Sequence, residues 1–210
     1  VYPGTDPVSF DIVSTVPADG ARVRHLDCTS HAGTHVDAPA HMVTDGATLD
    51  AFDVADFLFE AMLVDCTDAD SREALDTARL PALLRDDPDA TGADMLVFHT
   101  GWDAHWDTDR YRDSPFLAPG LAEWCAEVGF HVGIDAFSPD PVPSVDPAGE
   151  ASDEPDGHPA HAALCGAGRL IVENLRGLDR LPDRFELSAL PLRIDGGDGS
   201  PVRAVARMRE

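Results

Sequence analysis

Lysine is absent from this 210-residue chain: its 15 basic residues are all arginine and face 39 acidic ones, for a formal net charge of −24. An acidic excess of this size repels nucleic acid and anionic membrane surfaces, so both are set aside as partners. At low ionic strength the same excess opposes compaction, but in molar salt the screening length falls to ~3 Å and the repulsion fades. The pattern resembles proteins of salt-loving organisms, and a GC-rich genome, which favours Ala, Asp and Arg over Lys, is the other reading. Neither says anything about the reaction.

Long apolar runs are missing too. None approaches the ~20 residues of a membrane span and no signal-like segment opens the chain, so a cytoplasmic protein is expected. The four cysteines, Cys28, Cys66, Cys125 and Cys165, are scattered, which excludes a disulfide framework and reads as buried free thiols in a reducing compartment. Cys28 and His31 form a CxxH pair, but no second pair at zinc-finger spacing accompanies it. With 43% hydrophobic residues, the chain fits one domain, 1–210, able to bury its core without staples.

Short apolar runs at 9–14, 22–28, 61–66, 94–100, 131–135 and 169–174 read as strands, and a further pair near 186–194 and 201–208 closes the chain. Helical patterning falls at 53–59, 72–86, 117–128 and 158–166. The alternation predicts an α/β fold. Residues 138–157, rich in Pro, Asp, Ser and Gly, read as a long surface loop, either a lid or wall of a site or a disordered insertion.

The chemistry concentrates in HAGTHVDAPAH, residues 31–41, where His31, His35, Asp37 and His41 crowd one short segment. Imidazole and carboxylate are the usual ligands of zinc and its neighbours, whereas a core-packing role predicts apolar residues. Gly33 and the Ala38-Pro39 pair disfavour a helix, so a turn or tight loop is expected to converge His31, His35 and Asp37 on one ion. Thr34 is a candidate to orient a ligand. Downstream, His161 stands on the 158–166 helix and Glu173 in the apolar run LIVENL. A carboxylate buried there needs a partner, either a cation held by the first motif or an arginine at a strand end. Tyr2, Phe98, Trp102 and Phe137 are candidate walls for a flat substrate, with core packing the commoner fate of such residues. Asp135, Ser138 and Arg203 are candidates to support the site; His25, His99, His105 and His131 stand outside any cluster.

HAGTHVDAPAH resembles the HxGTHxDxPxH signature of the cyclase family of metal-dependent hydrolases, which includes bacterial kynurenine formamidase and isatin hydrolase. The resemblance extends through YPG (2–4), HTGW (99–102), GIDAFSPD (133–140), the His161 to Glu173 spacing and LPLRIDGGDGSPVRAVA (190–206). It implies the family's swivelling β/β/α type of domain, with a central mixed sheet or barrel-like core and flanking helices. It also implies a first metal on His31, His35 and Asp37, a second on His161 with Glu173 touching both, His41 as general acid/base, and Tyr2 near the substrate. Two zinc ions are expected, with manganese or iron as alternatives. Thr5 stands between Gly4 and Asp6 where the family reads PGD, and His158 competes with His161, whose distance to Glu173 matches the family. Isatin hydrolases carry glutamine where Glu173 stands, which favours the formamidase-like, two-metal site. The implied activity is hydrolysis of a small-molecule substrate, an aryl amide, N-formylkynurenine to kynurenine and formate, by a metal-activated water. A cyclic amide or lactone hydrolase and a non-catalytic metal-binding protein are the alternatives. A homo-oligomer, dimer or tetramer, is also implied.

Overall fold

Runs such as Met95-Leu96-Val97-Phe98 are apolar at every position, the mark of strands covered on both faces. The structure, a computed structural model, describes residues 2–144 and 154–208. In chain order the strands and helices are β1 (Ser9–Ser14), α1 (Val16–Asp19), β2 (Val23–Asp27), β3 (His35–Asp37), β4 (Leu58–Asp65), β5 (Ala74–Leu75), α2 (Ala82–Asp86), β6 (Met95–His99), β7 (Phe116–Leu117), α3 (Pro119–Val128), β8 (His131–Ile134), α4 (Pro159–Gly166), β9 (Ile171–Glu173), β10 (Arg184–Ser188), β11 (Gly199–Pro201) and β12 (Val205–Arg207). Eight strands form one curled mixed sheet in the order β11-β3-β9-β8-β6-β4-β10-β12. Its centre, β9-β8-β6-β4, is parallel, and antiparallel strands flank it on both sides. The expected α/β architecture, a central mixed, barrel-like sheet with flanking helices, is what the chain adopts.

Strand alternation sorts two cores, one on each face of the sheet. Leu96 and Phe98 of β6, Val64 of β4 and Val132 and Ile134 of β8 pack with Leu84 of α2, Leu121 and Cys125 of α3, and Leu164 of α4. Met95, Val97, Phe59 and Ala61 point the other way, to Val36, Val172, Phe185 and Leu187. Gly133 of β8 faces the second core, where a Cβ would lie 3.0 Å from Leu175 and 3.1 Å from Val97.

Several expectations change. Residues 53–59 do not form a helix: a reciprocal capping box between Asp53 and Asp56 starts one 3-10 turn, Val54–Phe57, and Leu58 already begins β4. The 72–86 stretch splits into β5, the 3-10 turn Thr77–Arg79 and α2, because Ala74 and Leu75 pair with Phe116 and Leu117. The 31–41 motif is not a loop throughout, since His35–Asp37 is a fully buried strand inside the main sheet. Cys66, Cys125 and Cys165 are buried free thiols as expected, but Cys28 is exposed. Of the 138–157 loop, residues 145–153 lie outside the described residues.

Candidate metal centre and substrate cavity

Side chains two apart on a strand share a face. On β3 this puts His35 and Asp37 together and sends Val36 into the core, at 0% exposure. Antiparallel pairing sets His35 opposite Glu173 on β9 and Asp37 opposite Gly199 on β11. Cross-strand partners project to the same side, so His35, Asp37 and Glu173 form one patch. Helix α4 adds His161, and the turn before β3, with Gly33 in the left-handed region at φ 66°, brings in His31.

The resulting cluster is dense. His31 Nδ1 lies 2.7 Å from Asp37 Oδ1, and His35 Nε2 lies 3.2 Å from the same oxygen and 3.3 Å from Glu173 Oε2. His161 Nε2 is 3.2 Å from Glu173 Oε1 and 3.6 Å from Asp37 Oδ2. The arginine partner considered for Glu173 is replaced by these two imidazoles. Asp37 Oδ2 and Glu173 Oε1 are buried with no hydrogen-bond partner, a costly state unless a cation faces them. Two overlapping sets, His31-His35-Asp37 and Asp37-His161-Glu173, have ligand atoms close enough to hold an ion each, sharing Asp37. A third set, His31-His41-Asp198, includes the residue expected to move protons.

Each histidine is oriented from behind, as ligating imidazoles usually are. His35 Nδ1 donates to the Gly33 carbonyl at 2.8 Å, His161 Nδ1 to Asp140 Oδ2 at 2.7 Å, and His31 Nε2 lies 2.9 Å from Asp198 Oδ2. Asp140 also accepts the backbone N–H groups of Ala160 and His161, capping α4 and fixing where His161 starts. Thr34 donates to the Asn174 carbonyl at 2.7 Å, tying the motif to the residue after Glu173.

The electrostatics follow. Burial opposes charge on His35, but Asp37 and Glu173 outweigh it and raise its pKa to about 9. Burial likewise opposes charge on His31 and His161, and the surrounding carboxylates overcome it, raising both. Burial alone would raise Asp37, yet the charge of His35 and the close approach of the His161, His31 and His35 imidazoles hold it well below the usual carboxylate range. Protonated imidazoles are the positive charge this pocket can supply itself, and a divalent cation would displace those protons. His41 differs: burial and then its neighbour His31 push its pKa down, favouring the neutral base. Its ring centroid is 3.9 Å from that of His31 and 5.6 Å from that of His161.

His31, His35, His161 and Glu173 of the cluster line a cavity of about 700 Å³, with Asp37 fully buried behind them. Tyr2 and Phe137, two of the candidate wall residues, line it with their ring centroids 6.1 Å apart in an edge arrangement; burial raises the Tyr2 phenol pKa. Phe98 and Trp102 are core residues instead, and Trp106, Tyr111 and Met42 complete the apolar wall. His158 is exposed at the rim, within 4.8 Å reach of Asp140 and His161 but outside the buried set. Asp135 accepts from Thr100 N, Thr100 Oγ1 and Gly101 N, bracing the end of β6, and Ser138 lines the cavity. Arg203 is exposed and makes no ion pair among the described residues. Asp198 and Asp140 went unassigned from sequence, although both lie inside the matched segments; an aspartate flanked by glycines in GGDGS was the available signal.

Fold and cluster together define an α/β protein whose buried carboxylates and imidazoles are compatible with divalent metal. The family model Cyclase matches residues 2–141, and the chain belongs to the cyclase family. It is 33% identical over 212 residues to the kynurenine formamidase of Salinibacter ruber, spanning 99% of this chain and 91% of that protein. An isatin hydrolase bound to the product analogue thioisatinate superposes with a TM-score of 0.80 at 24% identity, over 96% of this chain and 82% of that one, a likeness of fold. A chain described as a potential metal-dependent hydrolase with cyclase activity superposes with a TM-score of 0.70 at 27% identity, over 100% and 92%.

Proposed function

We propose that this chain is a metal-dependent hydrolase of aryl formamides, converting N-formylkynurenine and water to kynurenine and formate. The observation that carries the reading is the pair of buried, unsatisfied oxygens, Asp37 Oδ2 and Glu173 Oε1, among three histidines on the floor of an aromatic-walled cavity. His31, His35 and Asp37 would hold one cation, and Asp37, His161 and Glu173 a second; zinc suits the mixed imidazole and carboxylate set, with manganese or iron as alternatives. Bound there, the cations would supply Lewis acidity and a water acidified toward pKa ~7. His41, neutral and on the cavity wall, takes the water's proton and delivers it to the departing aryl nitrogen as the C–N bond breaks. With its Nδ1 on the Asp198 side at 3.6 Å, Nε2 is the nitrogen left for that transfer. Tyr2, Phe137 and Trp106 bracket the aryl ring and keep water away from it. A purely structural metal centre fits less well, because such sites are closed whereas this one faces a large cavity.

The same reading treats 1–210 as one cytoplasmic domain that works as a homodimer or tetramer. Among the described residues no helix is long and apolar enough to cross a membrane. The β1-β2 hairpin is detached from the main sheet and exposes Phe10, Ile12, Val13 and Leu26 at 55–64%. A lone hairpin is marginal in water, and a second copy of this chain is the cover that oligomerisation provides.

The test is a pair of variants. His41→Ala should keep its metal and lose most turnover of N-formylkynurenine, whereas His31→Ala should lose metal and turnover together. If His41→Ala instead lost metal in step with activity, it would be a ligand in the His31-His41-Asp198 set.

A further inference from the structure

One wall of the cavity is charged in a way that hydrolysis of the amide does not require. Asp107, Asp109 and Arg112 line it, on the segment that carries Trp106 and Tyr111. Arg112 is the one arginine among the lining residues. It is half-buried, and among the described residues it has no carboxylate within salt-bridge distance, in a chain of net charge −24. Its neighbours are otherwise engaged: Arg110 stacks over Trp102 at 5.4 Å and Arg176 over Trp106 at 5.7 Å.

The segment is held in place. Tyr111 is buried, its hydroxyl 3.1 Å from Asn174 Oδ1 and 3.3 Å from the Asp135 carbonyl, and Trp102 Nε1 donates to the Arg110 carbonyl at 3.1 Å. Asn174 follows Glu173 directly, so the charged wall is referenced to the metal-facing strand β9. A guanidinium presents a rigid fork of donors matched to a carboxylate, and aspartates match an ammonium.

We infer that the Asp107-Asp109-Arg112 wall is a subsite for the zwitterionic end of an α-amino acid carried on the aryl formamide, with Arg112 taking its carboxylate. This rests on the formamide reading above and adds what selects among formamides. Arg112 is a specificity residue: it binds the arm and leaves the reacting amide to the cluster.

The experiment compares the parent, Arg112→Gln and Arg112→Lys on two substrates, N-formylkynurenine and 2′-formamidoacetophenone, the same aryl ketone without the amino-acid arm. Loss of a charge-assisted contact should raise KM for N-formylkynurenine by roughly 10- to 100-fold in Arg112→Gln, with a smaller rise in Arg112→Lys. Values for the truncated substrate should stay within about twofold in all three proteins, and their melting temperatures should agree. Equal loss on both substrates, or no change on either, would overturn the subsite while leaving formamide hydrolysis standing. A parent protein that hydrolyses neither compound would overturn the formamide reading and the subsite with it.

Discussion

Adding one methyl group at Gly199 should damage the proposed metal centre from behind. Gly199 lies opposite Asp37 across β11 and β3, and a Cβ there would sit 2.6 Å from His31 Cε1, 3.1 Å from His31 Nδ1 and 3.0 Å from the Val36 carbonyl oxygen. Carbon atoms in contact settle at ~3.5–4.0 Å, so the imidazole must retreat by about 1 Å. The carbonyl, tied into a central strand, can yield only a few tenths of that. His31 is held at 2.7 Å to Asp37 and 2.9 Å to Asp198, and a retreat of about 1 Å carries at least one contact past hydrogen-bond range. Gly199→Ala should therefore cost ~1–3 kcal/mol of stability through overpacking and weaken metal binding roughly 10- to 100-fold by misaligning a ligand. Urea denaturation reads the first, and competition titration of chelator-stripped protein with zinc and a chromophoric indicator reads the second. Gly166→Ala, where a Cβ meets nothing within 4 Å, is the control and should match the parent in both. Parent-like zinc affinity in Gly199→Ala would refute the placement of His31 as a ligand.

Two further outcomes follow from burial and charge. Burial, then Arg169, push the His131 pKa down to about 4, and its Nδ1 accepts the Leu170 N–H at 2.8 Å. The unfolded imidazole titrates near 6.5, so the folded state binds fewer protons between the two values. Stability should be full above pH ~6.5 and fall by of order 2 kcal/mol toward pH 4, and denaturation of His131→Gln across that window should show a shallower loss; an identical pH slope would sink the assignment. The net charge of −24 predicts that raising NaCl from about 0.1 to about 1 M lifts the melting temperature by at least ~5 °C, and an unchanged or lower value would show that self-repulsion is not limiting.

Local pattern carried much of the architecture. The mainly apolar β6 and β8 and the Pro-started α3 and α4 lie where periodicity put them, within a residue or two. The strand β3 was illegible for a physical reason: His-Val-Asp is short and polar at two of three positions, and its strand character comes from pairing with β9 and β11, far along the chain. The helix expected at 53–59 failed because its caps were real but the residues after them were claimed by β10. At the site, ligand types and spacing pointed to His31, His35 and Asp37, and the structure brings them together with His161 and Glu173. Asp198 escaped notice because it meets His31 from 167 residues away, a contact that only the β11-β3 register creates. Arg112 carried no local signal, since having no carboxylate within salt-bridge distance among the described residues is a property of the folded cavity.

Metal-dependent hydrolysis by this site is read out by the metal content of the purified protein, measured alongside N-formylkynurenine hydrolysis before and after chelation. About two equivalents of divalent metal per chain, with hydrolysis lost on chelation and regained when zinc is restored, is the predicted result. A metal-free protein that hydrolyses the substrate at an undiminished rate would contradict it.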